Sequence, residues 1–217
     1  MADYSAQRTM MVDTQIRPSD VTKFPIIDAM LGVPREQFVP ADARETAYRD
    51  GPISLGDGRS MLEPRALAKM LDVLDIQPDE LVLDLGCALG YSSAVIARMA
   101  EAVVAVEDSK DLASEAESLL GDAGADNVAV VQGALAEGAA KHGPYDVIVL
   151  QGAVQQVPQG IIDSLKDDGR IAAIFMEGPL GICRIGHKSG GALNWRDAFN
   201  AVAEVLPGFE AQPEFHL

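Results

Sequence analysis

One stretch, from Val82 to Glu107, restricts this chain more than any other. The run Val82-Leu83-Asp84-Leu85 passes into the small-residue loop Gly86-Cys87-Ala88-Leu89-Gly90, then into Tyr91-Ser92-Ser93-Ala94-Val95-Ile96-Ala97-Arg98-Met99. That is the pattern of a strand, a tight loop and the start of a helix. Glycines at such a junction let the backbone approach a ligand, and the helix start offers N–H groups with no partner of their own. A second strand from Ala102 to Val106 ends at Glu107, 21 positions after Gly86. A carboxylate there can take both hydroxyls of a ribose. The pair points to an adenosine-bearing ligand at the carboxyl ends of the strands.

The same alternation continues along the chain. Strands are expected at 81–85, 102–107, 127–132, 145–150 and 170–176, with helices at 90–100, 109–121, 134–141 and 158–166. Short apolar strands alternating with helices imply an α/β fold, a doubly wound and mostly parallel sheet joined by right-handed crossovers. Upstream, an amphipathic stretch begins at Ser19-Asp20 and runs through Met30, with Pro25 as an early bend, and Pro34-Arg35-Glu36 starts a turn of helix. The segment 50–58 is rich in turn formers and predicts a loop with a brief extended piece. From Pro64 to Leu74 the positions Leu67, Ala68, Leu71 and Leu74 recur at helical spacing. Downstream, Ile182 to Lys188, the turn Ser189-Gly190-Gly191 and Ala192 onward read as an antiparallel addition, with Ala203-Glu204-Val205-Leu206 as the last strand. The length of 217 residues suits a single domain, with 1–63 a helical prelude and substrate-side loop and 64–217 the α/β core.

Composition removes several classes of function. A formal charge of −16, from 33 acidic and 17 basic residues, repels a polyphosphate backbone and argues against nucleic acid as substrate. No apolar run approaches the ~20 residues of a membrane helix. The N-terminus lacks the basic start and apolar stretch of a secretion signal, so the cytoplasm is the expected compartment. Cys87 and Cys183 are the only cysteines and are expected to be free thiols. His142, His187 and His216 lack metal-ligand spacing and are expected at the surface or in packing.

The loop spacing selects among adenosine cofactors. A dinucleotide fingerprint would need a third glycine, and the three positions here are Gly86, Ala88 and Tyr91. The pattern is closer to the acidic-x-Gly-x-Gly-x-Gly loop of class I S-adenosyl-L-methionine (SAM) methyltransferases, led by Asp84 and with Ala88 for the middle glycine. Two further segments, Val33-Pro34-Arg35-Glu36-Gln37-Phe38-Val39-Pro40 and Ala47-Tyr48-Arg49-Asp50-Gly51-Pro52-Ile53-Ser54-Leu55-Gly56, resemble V-P-R-E-x-F-V-P and A-Y-x-D-x-P-L-x-I-G of the protein-L-isoaspartate O-methyltransferases. Their order and spacing, with Asn127-Val128, Pro144-Tyr145-Asp146 and Leu165-Lys166-Asp167-Asp168-Gly169-Arg170, carry the resemblance from about Val12 to Met176.

The resemblance implies a repair enzyme that methylates the α-carboxyl group of an isoaspartyl residue in a damaged protein or peptide. By it, Asp84, Gly86, Ala88 and Gly90 surround the methionine part of SAM, Glu107 holds the ribose, and Gly133-Ala134 lie on the adenine side. The family's G-Q-T-I-S-Q-P loop reads here Gly58-Arg59-Ser60-Met61-Leu62-Glu63-Pro64. Ser60 keeps a hydroxyl beside the acceptor, whereas Leu62 stands at the serine regarded as central to catalysis, and leucine neither donates nor accepts a hydrogen bond. Gly133-Ala134-Leu135 replaces the family's Gly-Asp-Gly. These departures leave open a methyltransferase with another, small or apolar, acceptor, and a non-catalytic binding or regulatory protein on the same fold. Oligomeric state is not legible.

Overall fold

The computed structural model describes residues 3–56 and 58–211. Helix α1 (Tyr4–Met11) begins where the Asp3 carboxylate accepts from the Ala6 N–H at 3.0 Å, satisfying one of the donors a helix start leaves free. Its axis continues through a wide turn over Val12–Ile16 and a tight one over Arg17–Ser19, and stops at Asp20 in a left-handed conformation (φ 65°). Ser19 and Asp20 therefore end a helical segment, and the amphipathic stretch expected to begin there starts at Phe24. The next helix, α2 (Phe24–Gly32), starts with Pro25 in its first turn, where the fixed φ and missing N–H do no harm. Pro25 marks a start and not a bend.

The expected turn of helix follows at Arg35–Gln37, and the brief extended piece is a hairpin, β1 (Ile53–Gly56) with β2 (Arg59–Met61). Helix α3 (Pro64–Leu74) ends at Asp75, again left-handed. Then come β3 (Leu81–Leu85), α4 (Tyr91–Ala97), β4 (Ala102–Glu107), α5 (Lys110–Asp122) and β5 (Val128–Gln132). The second half holds β6 (Tyr145–Val154), α6 (Gln159–Asp163), β7 (Leu165–Glu177), β8 (Leu180–Ser189) and β9 (Ala192–Asn200).

Strand order is β5-β4-β3-β6-β7-β8-β9, with the first five parallel and the last two added antiparallel. The chain runs outward from β3 to β5 and resumes on the other side of β3 with β6. Beside β3 the order reverses, and there a crevice opens at the carboxyl ends of the strands. Alternate residues feed the two faces of the sheet. Val82, Val103 and Val147 pack toward α3 and the N-terminal helices, while Leu83, Val104 and Ile148 pack toward Leu135, Ile161 and Leu206. Among the described residues no helix is long and apolar enough to cross a membrane.

Three expected elements differ. The helix at 134–141 is two short turns, Leu135–Glu137 and Ala140–His142, because Gly138 adopts φ 59° and Ala139 leaves the helical region (φ −140°, ψ 54°). The helix at 158–166 stops at Asp163, and Leu165 already pairs with Tyr145 as sheet. The segment 203–206 makes a single bridge, Val205 to Ala153, and crosses the carboxyl end of β6 without extending the outer edge. Pro207 and Gly208 break it there.

Candidate active site

Downstream of β3 the loop folds over the end of β4, where the N–H groups of Gly86 and Cys87 both donate to the Val106 carbonyl at 2.8 and 3.2 Å. Gly86 (φ 78°) and Gly90 (φ 92°) hold left-handed conformations that glycine takes without strain. Ala88 holds one too (φ 52°) and carries a Cβ, at a cost of roughly 1–2 kcal/mol.

Asp84 is fully buried and faces inward. Its Oδ2 accepts from Ser92 and Ser93 at 2.7 and 2.6 Å, and its Oδ1 from Gln151 at 2.7 Å. Burial pushes its carboxyl above the usual range, and these three donors oppose the shift. The residue ties the loop to α4 and β6. It is a post inside the wall of the cleft.

Glu107 closes β4 and is also fully buried. Its Oε2 accepts from the Ala88 N–H at 2.7 Å, and its Oε1 from the N–H groups of Asp108 and Ser109 at 3.1 and 3.2 Å. The remaining direction is taken by Arg59 of β2. That guanidinium donates Nη1 to Oε1 at 2.8 Å and Nη2 to Oε2 at 2.9 Å, and Nη1 also reaches Asp108 at 2.7 Å. Burial raises the Glu107 carboxyl and the adjacent Asp108 adds to it, with Arg59 opposing; Asp108 is held low, against its own burial, by Glu107 and Arg59.

The residues expected on the acceptor side lie on and beside the same hairpin. Ser60, Met61 and Leu62 line one cavity together with Gly86, Ala88 and Tyr91. Leu62 is buried, and its carbonyl accepts from Arg35 Nη2 at 2.8 Å. Arg35, fully buried, also donates Nε to the Ala47 carbonyl at 2.8 Å and stacks 4.7 Å from the Tyr91 ring centre. Cys87 is buried with its thiol pushed well up by that burial, so it is no nucleophile at neutral pH. Gly133 donates to the Glu107 carbonyl at 3.0 Å, and Ala134 beside it is exposed.

Of the residues the sequence marks out, the structure sets Ser60, Leu62, Gly86 and Ala88 around one cavity, while Glu107 lies buried behind the loop against the Ala88 N–H. Sequence reading missed Arg59. The signal available was the basic residue in a loop position where the isoaspartyl family carries glutamine. Of the three histidines, His142 closes a short turn, His187 lies exposed on β8, and His216 falls outside the described residues.

The family profile of protein-L-isoaspartate(D-aspartate) O-methyltransferases matches residues 6–181 of this chain. The chain belongs to this family. It is 36% identical over 167 residues to the protein-L-isoaspartate O-methyltransferase of Methanoculleus marisnigri, covering 77% of this chain and 76% of that one. The enzyme of that name from a Synechococcus strain is 35% identical over 176 residues, or 81% and 72% of the two chains. In fold, the chain superposes on a putative protein-L-isoaspartate O-methyltransferase from Plasmodium falciparum, solved with S-adenosyl-L-homocysteine, with a TM-score of 0.80 at 18% identity, covering 95% and 99% of the two chains. The family is one of SAM-dependent methyltransferases, and by this membership the chain is an enzyme of that class.

In this arrangement the residues do not accommodate the family's cofactor. Both Glu107 oxygens are saturated by partners within the chain. A Cβ placed on Gly86 would meet Leu206 at 3.1 Å and Arg59 Nη2 at 3.2 Å, so the approach glycine leaves open is filled by these two side chains. The cavity that remains is about 20 Å3, room for one water, against roughly 300 Å3 or more for a small-molecule site.

Proposed function

We propose that this chain is a protein carboxyl methyltransferase of the isoaspartyl type with slow turnover, acting in the cytoplasm on damaged protein or peptide. The observation that carries the reading is that Ser60 and Leu62 share one crevice wall with Gly86 and Ala88, on a chain whose family match spans both segments. SAM, when bound, supplies the methyl group.

An acceptor carboxylate is ionised at neutral pH and needs no base. That suits this site, because Asp84 is sealed inside the wall and the Cys87 thiol is held protonated. What the chain contributes is placement and exclusion of water. Ser60 offers the one hydroxyl of the Arg59–Met61 strand. Leu62 presents a hydrocarbon side chain where an oriented donor would otherwise stand, and losing such a contact commonly costs ~10²–10³ in rate. Net charge of −16 favours neutral or basic partners over nucleic acid. A second reading, a binding or regulatory protein on the methyltransferase fold, is favoured by the Arg59–Glu107 pair.

The test is methyl transfer from labelled SAM to an isoaspartyl peptide, comparing the parent with Leu62→Ser at saturating cofactor. A faster Leu62→Ser enzyme, by tenfold or about that, supports the reading. Absence of transfer by the parent, by Leu62→Ser and by Leu62→Ser combined with Arg59→Gln would favour the binding protein.

A further inference from the structure

We propose that Arg59 is an internal occupant of the cofactor's ribose subsite, a latch that leaves Glu107 before any adenosine ligand can enter. The inference rests on the methyltransferase reading and concerns how that same site is controlled.

The geometry is specific to a guanidinium. Its two terminal nitrogens match the two Glu107 oxygens, and one of them also bridges to Asp108, giving three charge-assisted bonds of 2.7–2.9 Å. A ribose diol would present two neutral donors to the same carboxylate. Lysine or glutamine in that position lacks the planar fork. The arginine is itself nine-tenths buried, at 8% exposure, so its own hydration is largely exchanged for these contacts.

A second element fills space beside the same glycine. After β9 the chain returns across the carboxyl end of β6. Ala153 donates to Glu204 and accepts from Leu206, both at 2.8 Å, while Gln155 and Gln156 donate to the Phe209 carbonyl at 2.9 and 3.1 Å. This strap seats Leu206 against Gly86 and Gly152, and a Cβ on Gly152 would lie 2.6 Å from it. Gly86 is thus covered by a polar side chain from the hairpin and an apolar one from the strap.

Of the two, Arg59 is the movable part. It lies on a three-residue strand of a two-stranded hairpin separate from the main sheet, and its released head is readily hydrated. Leu206 is anchored by the strap's hydrogen bonds. Ligand affinity is then the intrinsic affinity reduced by the fraction of molecules with Arg59 withdrawn. A carboxylate that holds its arginine this well keeps that fraction small.

Calorimetric titration with S-adenosylhomocysteine decides it, on the parent, Arg59→Gln and Arg59→Met, each checked for a cooperative thermal transition. The expected result is that both variants bind about 10- to 100-fold more tightly than the parent. Hydrogen exchange of the parent supplies a measurement free of substitutions. Saturating S-adenosylhomocysteine is expected to speed exchange in the hairpin around Ser60 while slowing it in the 86–90 loop, since the ligand must expel Arg59. Equal affinity of parent and variants, or hairpin protection that rises with ligand, overturns the latch and leaves the methyltransferase reading standing. Absence of binding by all three proteins overturns the latch and the methyltransferase reading together.

Discussion

The guanidinium of Arg35 donates to the main-chain carbonyl of Leu62 at 2.8 Å, tying the Arg35–Gln37 turn of the prelude to a residue that lines the crevice beside Gly86. With its second bond to Ala47, this buried cation fixes the backbone of the hairpin's exit with no carboxylate partner among the described residues. Its charge is disfavoured by burial, and the Tyr91 ring against it offsets part of that. Arg35→Met should lower stability by about 2–4 kcal/mol, because two buried carbonyls lose their donor. Urea unfolding of the variant checks this; a change under ~1 kcal/mol would mean that water replaces the arginine.

Replacing Asp84 separates an inner post from a ligand contact. Asp84→Ala leaves two hydroxyls and an amide buried without an acceptor, and should cost about 3 kcal/mol or more. Asp84→Asn should cost less than half as much, since the Ser92 and Ser93 hydroxyls can rotate to accept. Equal losses in thermal unfolding would show that the charge, and not the hydrogen-bond count, holds the loop.

Ala88 sits at φ 52° in a chain that has kept its methyl group there. Ala88→Gly should raise stability by about 0.5–1 kcal/mol, the relief of left-handed strain less the entropy glycine adds to the unfolded chain. A destabilised variant would mean that the methyl group's packing in the loop outweighs the strain.

Asp146 supplies a pH dependence whose sign is fixed by its contacts. Against its partial burial, the Lys166 ammonium at 2.8 Å, the Leu81 N–H at 2.9 Å and nearby Arg170 hold its carboxyl below the ordinary value. A lowered folded-state pKa means the unfolded chain binds more protons in the window between the two values. The contribution is therefore present above the ordinary Asp range, near 4, and is lost as pH falls through the lower folded value. Asp146→Asn should flatten that part of the stability curve; a parallel curve displaced at every pH would assign the loss to packing.

Ala134 is exposed, so Ala134→Asp should change stability by less than ~0.5 kcal/mol. If an adenine-side contact is restored, it should tighten S-adenosylhomocysteine by the same factor in the Arg59→Gln background and in the parent, since withdrawal of Arg59 scales both affinities alike. Additive effects in titrations of the four proteins would separate the two positions.

Periodicity and loop chemistry alone were enough to give the parallel sheet, the helix at 64–74, the hairpin turn at 189–191 and the crevice at Gly86, because each follows from local patterns of burial and turn residues. Local patterns failed at 134–141, where Gly138 breaks a stretch that composition reads as helix, and at Ser19-Asp20, where polar residues that often begin a helix end one. Residue identity also marked Glu107 as the carboxylate expected to meet a ribose, yet its partner lies 48 positions away on the β2 hairpin. Which side chain fills the cleft depends on how hairpin, strap and strand ends converge, a three-body packing relation carried by no local segment. Sequence fixes the carboxylate; only the tertiary fold shows that Arg59 already holds it.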